Sequence, residues 1–257
     1  MHVILKRQVI ALFSSCALLA LVETSTSAAP FTSGLVDVNF GGGSTSGAGF
    51  VGSSGDSWNN TSGTSGSAAL VLTDGLTQSG ASLTFAAGGE WNAAQLVNGP
   101  NANLTDSYLS NNASSPSSLD EAVVTGLDPS GATTYNLYLY NGVPNVAPAP
   151  YFTNLRTTGF EVIGSSSQPT SINNAGTTNS SPWISGANYV EVSGITPAAD
   201  GSLGIEFDAV AGGEGDFAGF QLEAVVPEPA SAGFIACGAG AFLLRRRSSK
   251  SVARRPW

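Results

Sequence analysis

The sequence predicts an all-β fold, a single β-sandwich of the jelly-roll kind, and three observations carry that reading. Short runs rich in Val, Phe, Tyr and Leu recur along the chain, each bounded by Gly, Asn, Asp, Ser or Pro. No stretch between them keeps a 3.6-residue apolar period long enough for a helix. The composition, with Gly 32, Pro 13, 42% hydrophobic and only 11% charged residues, suits a turn-rich globular domain and not a disordered chain. Strand following strand in this way argues for two packed sheets.

The expected strands, in order, are residues 35–40, 68–72, 82–86, 121–125, 135–140, 159–163, 189–192, 203–207 and 219–225. Residues 135–140, YNLYLY, form the clearest of them because aromatic and branched side chains occupy almost every position. Residues 41–67 are rich in Gly, Ser and Thr and too long for a tight turn. They are expected to make an excursion over one end of the sandwich. No fixed-period repeat and no linker divides this region.

The two ends differ from the middle. Lys6 and Arg7 precede an apolar stretch over 9–22, followed by polar residues 23–27 and small Ala28 and Ala29. That order predicts a secretory signal peptide over 1–29, cut near Ala28 or Ala29 by signal peptidase. The apolar stretch is short against the roughly 20 residues a membrane span needs. At the other end Val226-Pro227-Glu228-Pro229 leads into the small and apolar run 230–244, then Arg245-Arg246-Arg247 and a basic tail. A helix over 230–244 would be about 22 Å long. Arginines directly after it hold that side in the cytoplasm, which suits a transient anchor.

Pro-Glu-Pro, a short Gly/Ala-rich span and an Arg cluster together resemble the PEP-CTERM sorting signal, also known as the ice-binding protein C-terminal domain family. The resemblance covers residues 226–257. It implies export, then recognition by a membrane-embedded exosortase that cleaves near the motif. It also implies a place in the envelope of a Gram-negative bacterium that makes exopolysaccharide. The functional residues it assigns are Val226, Pro227, Glu228, Pro229, Arg245, Arg246 and Arg247. Ice binding itself is not expected, since no regular Thr-x-Thr array is present. Within residues 30–225, Gly126-Leu127-Asp128-Pro129 with the 135–140 strand is similar to ectodomains that precede this signal. So are Gly186-Ala187-Asn188-Tyr189-Val190, Asp200-Gly201-Ser202-Leu203 and Gly219-Phe220-Gln221-Leu222. That likeness implies a galactose-binding-like sandwich.

Composition narrows the chemistry. Residues 30–226 hold 16 acids, the chain's 18 less Glu23 and Glu228, against Arg156 alone, so they carry about −15 where the whole chain carries −9. Such a surface repels phosphate backbones, which argues against a nucleic-acid partner. Cys16 and Cys237 both fall in the terminal segments, so the exported domain forms no disulfide. It also lacks His and Lys, which removes ordinary zinc sites and Schiff-base chemistry. Gly55-Asp56-Ser57 resembles the nucleophile block of GDSL-type esterases, but no histidine base accompanies it. Asp56-Ser57-Trp58-Asn59 reads instead as a polar turn with a buried tryptophan.

Paired carboxylates are the catalytic option that remains, because a glycosidase needs two of them roughly 5 to 10 Å apart. Glu90, Glu161, Glu191, Glu206 and Asp208 are the candidates, with Glu206 and Asp208 on one strand face. No cofactor is expected beyond a structural calcium ion, for which Asp200-Gly201-Ser202 and Glu214-Gly215-Asp216 are turn-like acidic spots. Sugar binding calls for aromatic platforms. Trp58, Trp91 and Trp183 are the leading candidates, with Tyr108 and Tyr151 behind them. The Asn-x-Ser/Thr triplets at Asn59, Asn60, Asn103, Asn112 and Asn179 read as loop polarity rather than glycan sites. The expectation is therefore an exported, non-enzymatic envelope or matrix protein. It would be structural or adhesive, with carbohydrate as the candidate ligand; the alternatives are a carboxylate-dependent glycoside-active enzyme and a calcium-stabilised scaffold with no ligand.

Overall fold

The computed structural model describes residues 28–92, 102–105, 107–112, 120–142, 157–163, 168, 171–173, 182–209 and 214–226. In chain order the first strands are β1 (Gly34–Asn39), β2 (Asn59–Asn60), β3 (Ser65–Val71), β4 (Gln78–Ala86) and β5 (Gly89–Asn92). One helical turn, α1 (Ala102–Thr105), precedes β6 (Ser107–Asn112), β7 (Glu121–Thr125) and β8 (Thr134–Asn141). The chain continues through β9 (Thr157–Ile163), β10 (Ile172–Asn173), β11 (Tyr189–Ile195), β12 (Leu203–Ala209) and β13 (Glu214–Val225).

These strands make two sheets. The first runs β11-β8-β13-β1-β2, with β6 paired to the start of β13 and β5 paired to β6. The second runs β10-β9-β12-β7-β4-β3. Every neighbouring pair is antiparallel except β1 and β2.

Period-two alternation decides which side chains go inward. Along β12, Leu203, Ile205 and Phe207 are buried while Glu206 and Asp208 face out. Along β4, Ala81, Leu83 and Phe85 are buried and Ser82 and Thr84 exposed. One hydrophobic cluster collects the inner faces of both sheets. Val36, Val38, Leu137, Leu139 and Leu222 come from the first sheet, and Leu83, Val124, Val162 and Ile205 from the second. Phe217 lies where they meet, with ring centroids 5.0 Å from Phe40, 5.2 Å from Phe160 and 5.3 Å from Phe207. Burying each such side chain contributes about 1.5–3 kcal/mol.

Strand β8 explains why YNLYLY stands out in the sequence. Tyr135, Leu137 and Leu139 enter the shared core, while Tyr138 and Tyr140 point to the opposite face and are buried there too. A strand covered on both sides reads as a nearly continuous apolar run. The Tyr135 hydroxyl donates to the Phe31 carbonyl and accepts from the Asp128 amide at 2.9 Å, tying the start of β8 to the segment before β1.

Nine strands fall where the sequence places them. Three features differ. The 41–67 excursion does not cap one end: its first part lies across the outer face of the first sheet, and β2 and the start of β3 occupy the rest. Glu214-Gly215-Asp216 is not a turn but the first part of β13, paired with β6. Strands β2, β5, β6 and β10 and helix α1 carry too many polar residues, or are too short, to stand out as periodic runs. Residues 1–27 of the expected signal peptide, and Pro227, Glu228, Pro229, Arg245, Arg246 and Arg247, lie outside the described residues, as do Tyr151, Arg156 and Asn179. Val226 is described and exposed. Among the described residues no helix is long and apolar enough to cross a membrane.

Candidate functional site

Among the described residues, the outer face of the first sheet carries a cluster of aromatic rings. Strand register sets it out in rows. Tyr189 on β11 lies opposite Tyr140 on β8, which lies opposite Gly219 on β13. One step along, Glu191, Tyr138, Gln221 and Asp37 line up across β11, β8, β13 and β1. An aromatic row thus runs beside a polar one.

A strap formed by residues 41–58 crosses both rows. Gln221 receives it much as a neighbouring strand would: the Val51 amide donates to its Oε1 at 3.2 Å, and its Nε2 donates to the Val51 carbonyl at 3.1 Å. Tyr140 donates to the same Oε1 and accepts from the Phe50 amide at 2.7 Å. Gly49 makes the close approach feasible. A Cβ there would stand 2.4 Å from Gln221 Oε1 and 2.8 Å from the Tyr140 hydroxyl. The turn at 53–56 is closed by Asp56, which accepts from the Ser53 amide at 2.7 Å and its hydroxyl at 2.6 Å.

The strap sets one ring out into solvent. Phe50 stacks on Tyr189 with centroids 4.2 Å apart and a 23° interplanar angle, and packs against Tyr138 at 5.6 Å. It remains 41% exposed. From the other side Trp183 reaches over Tyr140, 4.9 Å between centroids, and its neighbour Ile184 is exposed. Asn188 pins that segment: its Nδ2 donates to the Pro182 carbonyl at 2.9 Å and its Oδ1 accepts from the Ile184 amide at 2.7 Å. The result is an exposed apolar patch on a bed of three buried tyrosines.

Electrostatics beneath the patch are one-sided. Asp37 is fully buried; its Oδ1 accepts from Gln221 Nε2 at 2.9 Å, and its Oδ2 has no hydrogen-bond partner. Burial raises its carboxyl to about 7 against the lowering effect of the Gln221 bond, and the Asp56 charge pushes the same way as burial. The Tyr138 phenol is pushed up to about 12 by burial and by the Glu191 and Glu223 carboxylates. Burial likewise raises Tyr140 far above its ordinary value.

The residues singled out in the sequence separate into distinct places. Trp58 is only 6% exposed, its indole N–H donating to the Gly47 carbonyl at 2.8 Å, so it anchors the strap from within and offers no platform. Trp183 borders the patch. Trp91 is 45% exposed on β5 and belongs to neither hydrophobic cluster. Tyr108 is buried on β6, in one cluster with Leu104 of α1. Asn59 and Asn60 lie in β2 and not in a loop, and they spend their amides on backbone carbonyls of 37, 71, 45 and 58.

The carboxylates divide in the same manner. Glu90 accepts from the Gly63 amide at 3.0 Å and so holds the link between β2 and β3. Glu191 lies by the patch. Glu161, Glu206 and Glu121 stand directly opposite one another across β9, β12 and β7 on the outer face of the second sheet, with Asp208 one outward position along. Asp200 closes its turn by accepting from the Ser202 amide and hydroxyl at 3.0 and 2.6 Å. Among the described residues no three acids, histidines or cysteines are grouped to hold a metal.

Phe50, Tyr138, Tyr140, Tyr189 and Gln221 were not singled out by sequence reasoning. Phe50 sits in a Gly/Ser-rich stretch, and only its being the one large aromatic between Phe40 and Trp58 marks it there. No family model, no curated relative and no solved structure matches this chain. The class that fold and surface define is therefore an acidic two-sheet β protein with a strapped aromatic patch.

Proposed function

We propose that the chain is an exported envelope or exopolysaccharide-matrix protein that binds carbohydrate, sorted by its C-terminal tail through an exosortase. The observation that carries the binding half is the exposed Phe50 ring stacked on Tyr189, with Trp183 at its border. A sugar's apolar face stacks on such rings while polar neighbours read its hydroxyls. The polar neighbours here are Glu191, opposite the Tyr138 on which Phe50 packs, and Glu223, held by Asn136. The sorting half rests on the residue order from Val226 to Arg247.

The fold belongs to the same proposal, as a jelly-roll sandwich of the galactose-binding-like kind. Its support is strand order. Strands β7, β9 and β12 alternate along the chain with β8, β11 and β13 between the sheets, leaving rows β1-β13-β8-β11 and β7-β12-β9-β10. The protein holds rather than cuts in this reading, because Glu90 is committed to the Gly63 amide between β2 and β3 and Glu161 and Glu206 lie on an exposed strand face.

Two experiments test it. Binding of the protein to a panel of polysaccharides is expected to fall in Phe50→Ala and Trp183→Ala variants; equal binding by both variants overturns the site. Changing Pro227 and Glu228 to alanine is expected to leave a longer, membrane-retained species. Unchanged processing refutes the exosortase assignment.

A further inference from the structure

We infer that the glycan held at the Phe50 patch is cationic: a polymer of amino sugars whose amines are free and protonated. This rests on the carbohydrate-binding reading and specifies its ligand class.

Three observations lead there. The first is the field. Residues 30–226 carry about −15 with Arg156 as their sole cation, and the described residues contain no Lys, Arg or His. A uronate or sulfated chain would meet net repulsion and, among the described residues, no cation to pair with its anions.

The second is the rim. Glu191 and Glu223 flank Tyr138, Glu191 from the neighbouring strand β11 and Glu223 diagonally from β13. Both are held by neutral donors: Glu223 accepts from Asn136 Nδ2 at 3.2 Å and from the Tyr138 hydroxyl at 3.4 Å, and Glu191 from the Ser193 hydroxyl at 2.5 Å. These bonds orient the carboxylates and leave their charge unneutralised, available to an ammonium.

The third is the ring itself. Phe50 exposes an aromatic face, and an ammonium within about 6 Å of a ring centroid is attracted by its quadrupole. An amino sugar presents both halves of this arrangement, an apolar pyranose face for the ring and an ammonium for the glutamates. A neutral sugar uses only the first.

The test compares three oligosaccharides of equal length against the full chain at pH 6: fully deacetylated glucosamine, its N-acetylated counterpart and galacturonate. The deacetylated oligomer is expected to bind about tenfold tighter than the acetylated one, the gain from one exposed ring and two surface carboxylates. Galacturonate is expected not to bind. The advantage should collapse in about 0.5 M salt, where charges are screened within a few ångströms. It should also collapse in the double variant Glu191→Gln/Glu223→Gln, with acetylated binding kept. Phe50→Ala leaves the charge unchanged and must abolish the advantage; its persistence would mean general attraction to a polyanion and overturn the inference. Equal affinity for the acetylated and deacetylated oligomers overturns the amine preference and leaves carbohydrate binding standing. No binding to any of the three overturns both.

Discussion

Asp37→Asn reverses an unfavourable feature that the strap imposes. In the native state the Asp37 carboxyl is carried from the ordinary 3.8 to about 7 because burial leaves Oδ2 without a partner. Between about pH 4 and pH 7 the folded protein therefore holds a proton that the unfolded chain has released. Stability from this group is complete below the unfolded value and falls as pH rises through about 7. Each pH step in that window costs about 1.4 kcal/mol, so the full loss is roughly 4 kcal/mol. Asparagine removes the charge and keeps an oxygen for Gln221, but leaves a buried N–H without an acceptor, a cost of about 1–3 kcal/mol. The variant is expected to be more stable than wild type by about 1–3 kcal/mol at pH 8, and equal or weaker at pH 4.5. Urea unfolding at a series of pH values, followed by tryptophan fluorescence, reads the difference directly. Because every other acid is common to both proteins, the difference curve isolates position 37. A difference that stays constant from pH 4.5 to 8 would refute the reasoning.

Other consequences follow from the same packing. Glu206→Gln removes the middle charge of the Glu161–Glu206–Glu121 row and is expected to stabilise by about 0.2–1 kcal/mol at pH 7, an effect that thermal melts should show fading in about 1 M salt. Gly49→Ala drives a Cβ against Gln221 and Tyr140 and should lift the strap at a cost of about 1–3 kcal/mol, with a red shift of tryptophan emission as Trp58 loses its cover. Phe217→Ala opens a cavity where the two sheets meet and is expected to cost about 3–5 kcal/mol in chemical unfolding.

Two kinds of strand were legible: β8, whose burial on both faces makes a nearly continuous apolar run, and strands with one-sided physics. Strands such as β4 and β12 alternate because one face meets the core and the other meets water, and that period appears in any list of their residues. Strand β6 gives no such signal: Ser107, Tyr108, Leu109, Ser110 and Asn111 are all buried, with Ser107 bonded to Asn39 and Asn111 to Asp120. The site was less legible still. Trp58, Trp91 and Trp183 have the same residue type and similar polar flanks, yet one is a buried anchor, one stands apart on β5 and one borders the patch. What separates them is the path of residues 41–58 over the sheet, set by contacts such as Val51 with Gln221, 170 positions apart. Local pattern cannot carry information of that range. The charge imbalance, by contrast, needed no structure to be seen; the structure added where two of its carboxylates stand.

The most direct test of the central claim is calorimetric titration of the protein, wild type and Phe50→Ala side by side, with purified oligosaccharides. The account predicts saturable binding by the wild type and its loss in the variant, with both proteins equally folded by circular dichroism. Saturable binding of the same strength by both would contradict it.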